Sequence, residues 1–207
     1  MSGSTVSMIF GLPGAGKTTL LTKIAQKSLS GKKFMGLEPK KLVFTNFECT
    51  GCYKLDFDQL GLLNFCDCLI LIDEIMLLAD TRNYQKFPEH LGKFFRLARH
   101  ANCQIVVCSQ FWDDVDKKIR VITDRFFLLE RGKILTQFSF VKPIVRHMGV
   151  DNKHMTDHYL LGSPLEWFAV YRPKYYKHFD SFAKEELPPV PLIPWDSSVV
   201  SLRKDTP

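Results

Sequence analysis

Gly11-Leu12-Pro13-Gly14-Ala15-Gly16-Lys17-Thr18-Thr19 stands directly behind a largely apolar run, Val6 to Phe10, and a second such run, Leu69 to Ile72, ends in Asp73 and Glu74. Glycines at this spacing let the main chain wrap closely around a phosphate, with N–H groups aimed inward and a helix N-terminus behind them. Lys17 would lie along the terminal phosphates of a nucleotide and the Thr18 hydroxyl would ligate Mg2+. The spacing, the preceding strand and the following helix all agree with that chemistry, which a chance glycine-rich turn does not require.

Asp73 ends an apolar strand, so its carboxylate is expected beside Thr18, holding Mg2+ through water. Glu74 is a second carboxylate one residue on. It can polarise the water that attacks a terminal phosphate, which points to hydrolysis rather than transfer to a small acceptor. The alternative is a solvated acid following a strand. Ser109 and Gln110 follow another apolar run, Gln104 to Cys108, and should emerge at the same sheet edge. Gln110 is the candidate sensor of the terminal phosphate, against a role as a helix cap or loop filler. Arg96, Arg99, Arg120 and Arg125 lie near expected element ends, and a neighbouring subunit's guanidinium would neutralise charge in the transition state. Arg96 and Arg99 are favoured, with surface solvation the default for any one arginine.

These groups need a scaffold. Val6 to Phe10, Leu42 to Thr45, Cys68 to Ile72 and Gln104 to Cys108 read as buried strands, with a short strand near Tyr53. A helix from Lys17 to about Leu29 turns Leu20, Leu21, Ile24 and Ala25 to one side and ends at Gly31. A second, from about Pro88 to Ala101, should pack Leu91, Phe94, Leu97, Ala98 and Ala101 on the sheet, with Lys93, Arg96 and His100 turned away. Phe111 to Arg120 suits a short helix. Arg125 to Glu130, the Arg131-Gly132 turn and Ile134 to Val141 read as a hairpin or two adjacent edge strands. After Lys142 the pattern breaks down, apart from a possible strand at Glu166 to Tyr171. The expected fold is α/β: a P-loop NTPase with a mainly parallel central sheet flanked by helices and a C-terminal β hairpin.

The 207 residues suit one domain, taken as residues 1–185, with a stiff, proline-rich tail over 186–207 that lies loose or on a neighbouring subunit. The charge of +6 leans toward a polyanionic partner, though a nucleotide is itself an anion. No window has the 18 or so apolar residues that cross a bilayer, and residues 1–20 carry no secretory signal. The expected compartment is a cytosol, in which the six cysteines stay reduced. Cys49, Cys52, Cys66 and Cys68 form two pairs that can be read as a zinc site or as ordinary thiols.

The order of motifs resembles the Zonula occludens toxin-like (Zot) ATPase family of bacterial viruses, a branch of the FtsK–HerA motor superfamily. The matching elements are GLPGAGKTT at 11–19, LVFTNF at 42–47, LILIDEI at 69–75 and FFRLARHANCQIVVCSQFWDDVDKKIR at 94–120. Within the last, Arg99-His100, the strand ending in Ser109-Gln110, and Asp116 with Ile119-Arg120 follow that family's pattern. Tyr171 to Phe182 is similar to its aromatic closing segment. The resemblance spans roughly residues 4–182. It implies a RecA/FtsK–HerA-like sheet, ATP and Mg2+ as cofactors, and hydrolysis coupled to moving viral DNA by a homo-oligomeric ring. Partners would be a capsid vertex or phage assembly proteins, which implies the host cytoplasm as the compartment, with association with the virion as an extension. Filamentous-phage members carry a membrane span after the ATPase domain, which this sequence lacks, so genome packaging is the expected role and extrusion the alternative. A small-molecule kinase and a nucleotide-dependent interaction switch are the other rivals.

Two basic patches are candidates for DNA contact: Lys117, Lys118 and Arg120, and the run Arg172 to Lys177, which interleaves cations with Tyr175 and Tyr176. A solvated charged surface is the competing reading of each.

Overall fold

The computed structural model describes residues 6–57, 60–75, 89–112, 115, 117–151 and 154–179. The expected tail, 186–207, Pro88 and Asp116 fall outside these. The described residues form a nine-stranded sheet: β1 (Val6–Phe10), β2 (Leu42–Thr45), β3 (Tyr53–Lys54), β4 (Cys68–Ile72), β5 (Gln104–Ser109), β6 (Arg125–Arg131), β7 (Phe138–Asp151), β8 (His154–Leu161) and β9 (Phe168–Tyr171). Its order is β3-β2-β4-β5-β1-β6-β7-β8, with β9 on β7 beside β8. The first six of these are parallel, and β7, β8 and β9 pair antiparallel.

Alternation along the buried strands builds two cores. Val6, Met8 and Phe10 of β1, with Ile70 and Ile72 of β4 and Ile105 and Val107 of β5, face one side. Ile9, Leu69, Leu71, Val106 and Cys108 face the other. This is the period of two expected of a sheet covered on both faces. Helix α1 (Lys17–Leu29) covers the second side through Leu20, Leu21, Ile24 and Ala25. It ends as anticipated at Gly31: the Lys32 N–H donates to the Lys27 carbonyl and the Gly31 N–H to that of Ser28, with Gly31 at a φ of +70°. That paired arrangement satisfies carbonyls the helix end leaves open.

Helices α2 (Glu89–Leu97) and α3 (Lys117–Ile122) cover the first side. The buried stripe of α2 is Leu91, Phe94, Phe95 and Ala98, whereas Leu97 is 46% exposed. The apolar face is thus rotated from the expected one. The regular helix stops at Leu97, whose carbonyl receives the N–H groups of His100 and Ala101 in the turn that follows. The exposure expected of Lys93, Arg96 and His100 holds.

Beyond Arg125 the sheet is larger than the sequence suggests. β6 and β7 form the anticipated hairpin, but neither is an edge: β6 lies between β1 and β7, and β7 between β6 and the β8–β9 pair. β8 is an additional strand in the segment where periodicity fails. Pro143 sits inside β7, opposite Phe127, and a proline in a run argues against a strand because it withholds an N–H. Its carbonyl still takes the Gly162 N–H at 2.7 Å. Tyr159 of β8 then packs on Trp112 and Phe126 at centroid separations of 4.4 and 5.3 Å. Such ring pairs add about 0.5–1.5 kcal/mol each beyond the area they bury.

Candidate functional site

The loop between β1 and α1 occupies the C-terminal edge of the parallel strands, where the connection from β1 runs across β5 and β4 to β2 and the connection from β5 runs the other way, across β1 to β6. Clefts at such crossovers are where α/β sheets bind ligands. Gly16 immediately precedes α1 with a φ of +98°. A Cβ there would stand 2.7 Å from Ser139 Oγ and 3.0 Å from Arg172 Cδ, so both the conformation and the space demand glycine. The Ser139 hydroxyl, from β7, donates to the Ala15 carbonyl at 2.5 Å and pins the loop from two strands away.

Lys17 Nζ donates to the Gly11 carbonyl at 2.8 Å, placing its charge across the loop. The Thr18 hydroxyl donates to Asp73 Oδ2. Burial pushes the Asp73 carboxyl up from its usual range, against the opposing influence of the Thr18 hydrogen bond and the Lys17 charge, and with the help of the nearby Glu74 charge. Two hard oxygen donors on facing elements are the donor set a magnesium ion takes, so Thr18 and Asp73 fit that metal.

Strand order explains how Gln110 meets Glu74. β5 lies between β1 and β4, pairing Phe10 with Ser109 and Ile72 with Val107. The residue after β5 therefore leaves the sheet between the glycine loop and the Asp73-Glu74 pair. Gln110 Nε2 donates to Glu74 Oε2 at 3.1 Å. Ser109, by contrast, is fully buried and donates to the Phe111 carbonyl. Glu74 has a φ of +65°, a left-handed conformation that costs a non-glycine residue about 1–3 kcal/mol.

Asn46, just beyond β2, secures that turn. Its Nδ2 donates to the Asp73 carbonyl and its Oδ1 accepts the Asp73 N–H, both at 2.7 Å. Nothing in the spacing of the sequence singles it out as more than part of a matching string. Asn46→Ala removes both bonds, worth about 1 kcal/mol each. We expect a folded protein whose ATP turnover falls roughly tenfold to a hundredfold as Asp73 and Glu74 lose their setting. Turnover within twofold of the parent would show that the turn holds without this clamp.

The cleft has a volume of about 760 Å³ and is lined by Gly14, Gly16, Lys17, Thr18, Thr19, Asp73 and Glu74. Arg172, Tyr176 and Phe179 also line it, residues whose place in the site the sequence did not reveal. The expected DNA-contact run from Arg172 to Lys177 thus has another setting. Arg172 Nη1 donates to the Gly14 carbonyl at 3.2 Å and its Nη2 to that of Thr136. Tyr175 is buried in the second core. In the other basic patch the Arg120 guanidinium lies over the Trp112 ring at 5.2 Å, while the side chains of Lys117 and Lys118 fall outside the described residues.

Arg96 and Arg99 are not brought to this cleft. Helix α2 leads back to the start of β5, and the Ala101 carbonyl accepts the N–H of Asp67, just before β4. Both arginines therefore stand toward the N-terminal edge of the strands, away from this chain's own glycine loop. Arg125 donates to the Met35 carbonyl. The four cysteines considered for zinc separate as well: Cys49 and Cys52 pack against one core, Cys68 lies in the other with its sulfur 3.4 Å from that of Cys103, and Cys66 is exposed. Among the described residues no group of three or more metal-ligating side chains converges, and no described helix is long and apolar enough to cross a membrane.

A parallel α/β sheet with a glycine loop at its C-terminal edge, a Lys-Thr pair opening the next helix and an Asp-Glu pair on a facing strand defines a P-loop nucleoside triphosphatase. The model of the ATPase family associated with various cellular activities (AAA) matches residues 7–131. The chain belongs to that family and is an ATP-hydrolysing enzyme. Among solved structures it is similar to the N-terminal domain of zonular occludens toxin from Neisseria meningitidis, at 14% identity and a TM-score of 0.52 over 86% of this chain and 100% of that one. It is also similar to the DNA-packaging ATPase of Sulfolobus turreted icosahedral virus, at 12% identity and a TM-score of 0.48 over 76% and 98%. The flagellar accessory protein FlaH from Methanocaldococcus jannaschii matches at 12% identity and a TM-score of 0.49 over 76% and 91%. At 14% identity the likeness to the first of these is one of fold. No curated protein matches the sequence.

Proposed function

We propose that this chain is an ATP-driven motor that moves viral DNA, with packaging of a genome into a capsid as its task. The observation that carries the reading is the hydrogen bond from Gln110 to Glu74. Glu74 is the base that takes a proton from the attacking water, and Gln110 ties that base to the end of β5. A change at the terminal phosphate would then be felt by a central strand, and through it by the surface beyond, as a motor requires. The string of motifs from 11–19 to 94–120, similar to that of Zot-like viral ATPases, supports DNA as the cargo.

In this reading Lys17 neutralises charge on the terminal phosphates, and the main-chain N–H groups of Gly14 and of Gly16 to Thr19 cradle them. Thr18 and Asp73 hold magnesium, which supplies charge stabilisation of the phosphoryl oxygens when bound. Subunits assemble as a ring, and Arg96 or Arg99, exposed and remote from the chain's own cleft, is the guanidinium offered to a neighbour.

ATP turnover should rise severalfold on adding DNA, in parallel with a particle mass of several subunits. Titrating DNA into the ATPase assay while measuring mass in solution tests both. A monomer whose turnover ignores DNA overturns the motor reading. Binding to capsid vertices supports packaging, and copurification with a membrane assembly complex selects extrusion.

A further inference from the structure

The phosphate end of the cleft is accounted for by the glycine loop, Lys17 and the Thr18–Asp73 pair, yet the cleft continues past Gly16 and Thr19. There its wall comes from the chain's last described segment, Arg172, Tyr176 and Phe179. Two observations suit this wall to a ligand. The segment splits two successive tyrosines, with Tyr175 only 8% exposed in the core while Tyr176 is 50% exposed. The Tyr176 and Phe179 rings stand 6.3 Å apart with their planes at 73°, an open corner of two aromatic surfaces. Arg172, fixed by the carbonyls of Gly14 and Thr136, braces the loop beside them.

We propose that this segment forms the base-and-sugar half of the nucleotide site, with Tyr176 stacking on a purine, Phe179 against its edge, and Arg172 holding the loop beneath. A planar heteroaromatic ring is the ligand that a corner of this kind recognises, because stacking uses the whole π face and tolerates the exchange of ring substituents. The phosphates anchored at Lys17 fix where the ligand begins, and the remaining cleft fixes which wall its other end meets. The same residues would otherwise be assigned to DNA contact, but their place in the cleft leaves them facing nucleotide. The inference rests on ATP binding in this cleft and is independent of whether DNA is moved.

The test compares binding of ATP with that of inorganic tripolyphosphate, both with Mg2+, by calorimetry on the full chain. Tyr176→Ala should weaken ATP binding roughly tenfold and leave tripolyphosphate binding unchanged, which also shows that the variant is folded. Tyr176→Phe should retain ATP affinity, because the ring and not the hydroxyl is used, whereas Tyr176→Leu should lose it as Ala does. Unaltered ATP affinity in both Tyr176→Ala and Tyr176→Leu overturns the proposal, as does an equal loss for ATP and tripolyphosphate. Weakened binding of single-stranded DNA with intact ATP binding also overturns it and returns Tyr176 to a DNA surface. Loss of DNA stimulation in the parent chain would sink the motor reading alone and leave the base site standing.

Discussion

Glu74→Gln should lower steady-state ATP hydrolysis by roughly 10²–10⁴-fold while ATP still binds, because an amide of the same shape cannot accept the water's proton. The substitution keeps the shape of the site, and removing the Glu74 charge only relieves one of the influences that push the Asp73 carboxyl up. Glu74 reaches Gln110 through a single side-chain hydrogen bond and stands at a φ of +65°. Glutamine can keep the bond to Gln110 through its carbonyl oxygen, and Asn46 continues to hold the Asp73 main chain. Binding measured by calorimetry and turnover measured by phosphate release should therefore separate cleanly. Turnover within twofold of the parent would remove Glu74 from the reaction and make the solvated-acid reading the right one.

Lys17→Ala is expected to act earlier, on the phosphates themselves. In the described structure the ammonium spans its own loop to the Gly11 carbonyl, so the charge is already at the mouth of the cradle before substrate arrives. Charge-assisted bonds are worth roughly 1.5–3 kcal/mol, and such a bond strengthens as the transferring oxygens gain charge. ATP affinity should thus fall about tenfold to a hundredfold and turnover should fall further, below detection in an ordinary assay. Removing the side chain also frees the Gly11 carbonyl, which water can satisfy. Thermal stability should consequently change little. A large drop in the melting temperature without loss of turnover would identify Lys17 as a structural strut of the loop.

The two experiments differ in what they interrogate. Lys17 belongs to a contiguous string whose geometry is local, because a glycine loop followed by a helix start folds against its own backbone. Glu74 owes its partner to the sheet. Gln110 lies 36 residues away in the chain and meets it only because β5 is inserted between β1 and β4.

That contrast runs through the whole molecule. The phosphate loop, the Asp73-Glu74 pair, the buried parallel strands and α1 were legible as residues alone, since each is a short run whose types and periodicity follow from backbone geometry. The hairpin after Arg125 was legible for the same reason. The continuation into β8 was not, because Pro143 interrupts the alternation and the strand is stabilised by remote rings, Trp112 and Phe126. The buried stripe of α2 was read one position off at Leu97, where the helix ends sooner than its periodicity implies.

The wall of the cleft shows the limit most plainly. Arg172 lies 158 residues from Gly14, and a run of arginine, lysines and tyrosines looks equally suited to DNA, solvent or nucleotide until its neighbours are known. The sequence by itself determined that this chain holds and cleaves a nucleoside triphosphate, because phosphate recognition is written in consecutive backbone positions. Tertiary structure decided which carboxylate partners which amide, which asparagine steadies them and which aromatic rings meet the far end of the cleft, because those depend on strand order and on contacts between distant segments.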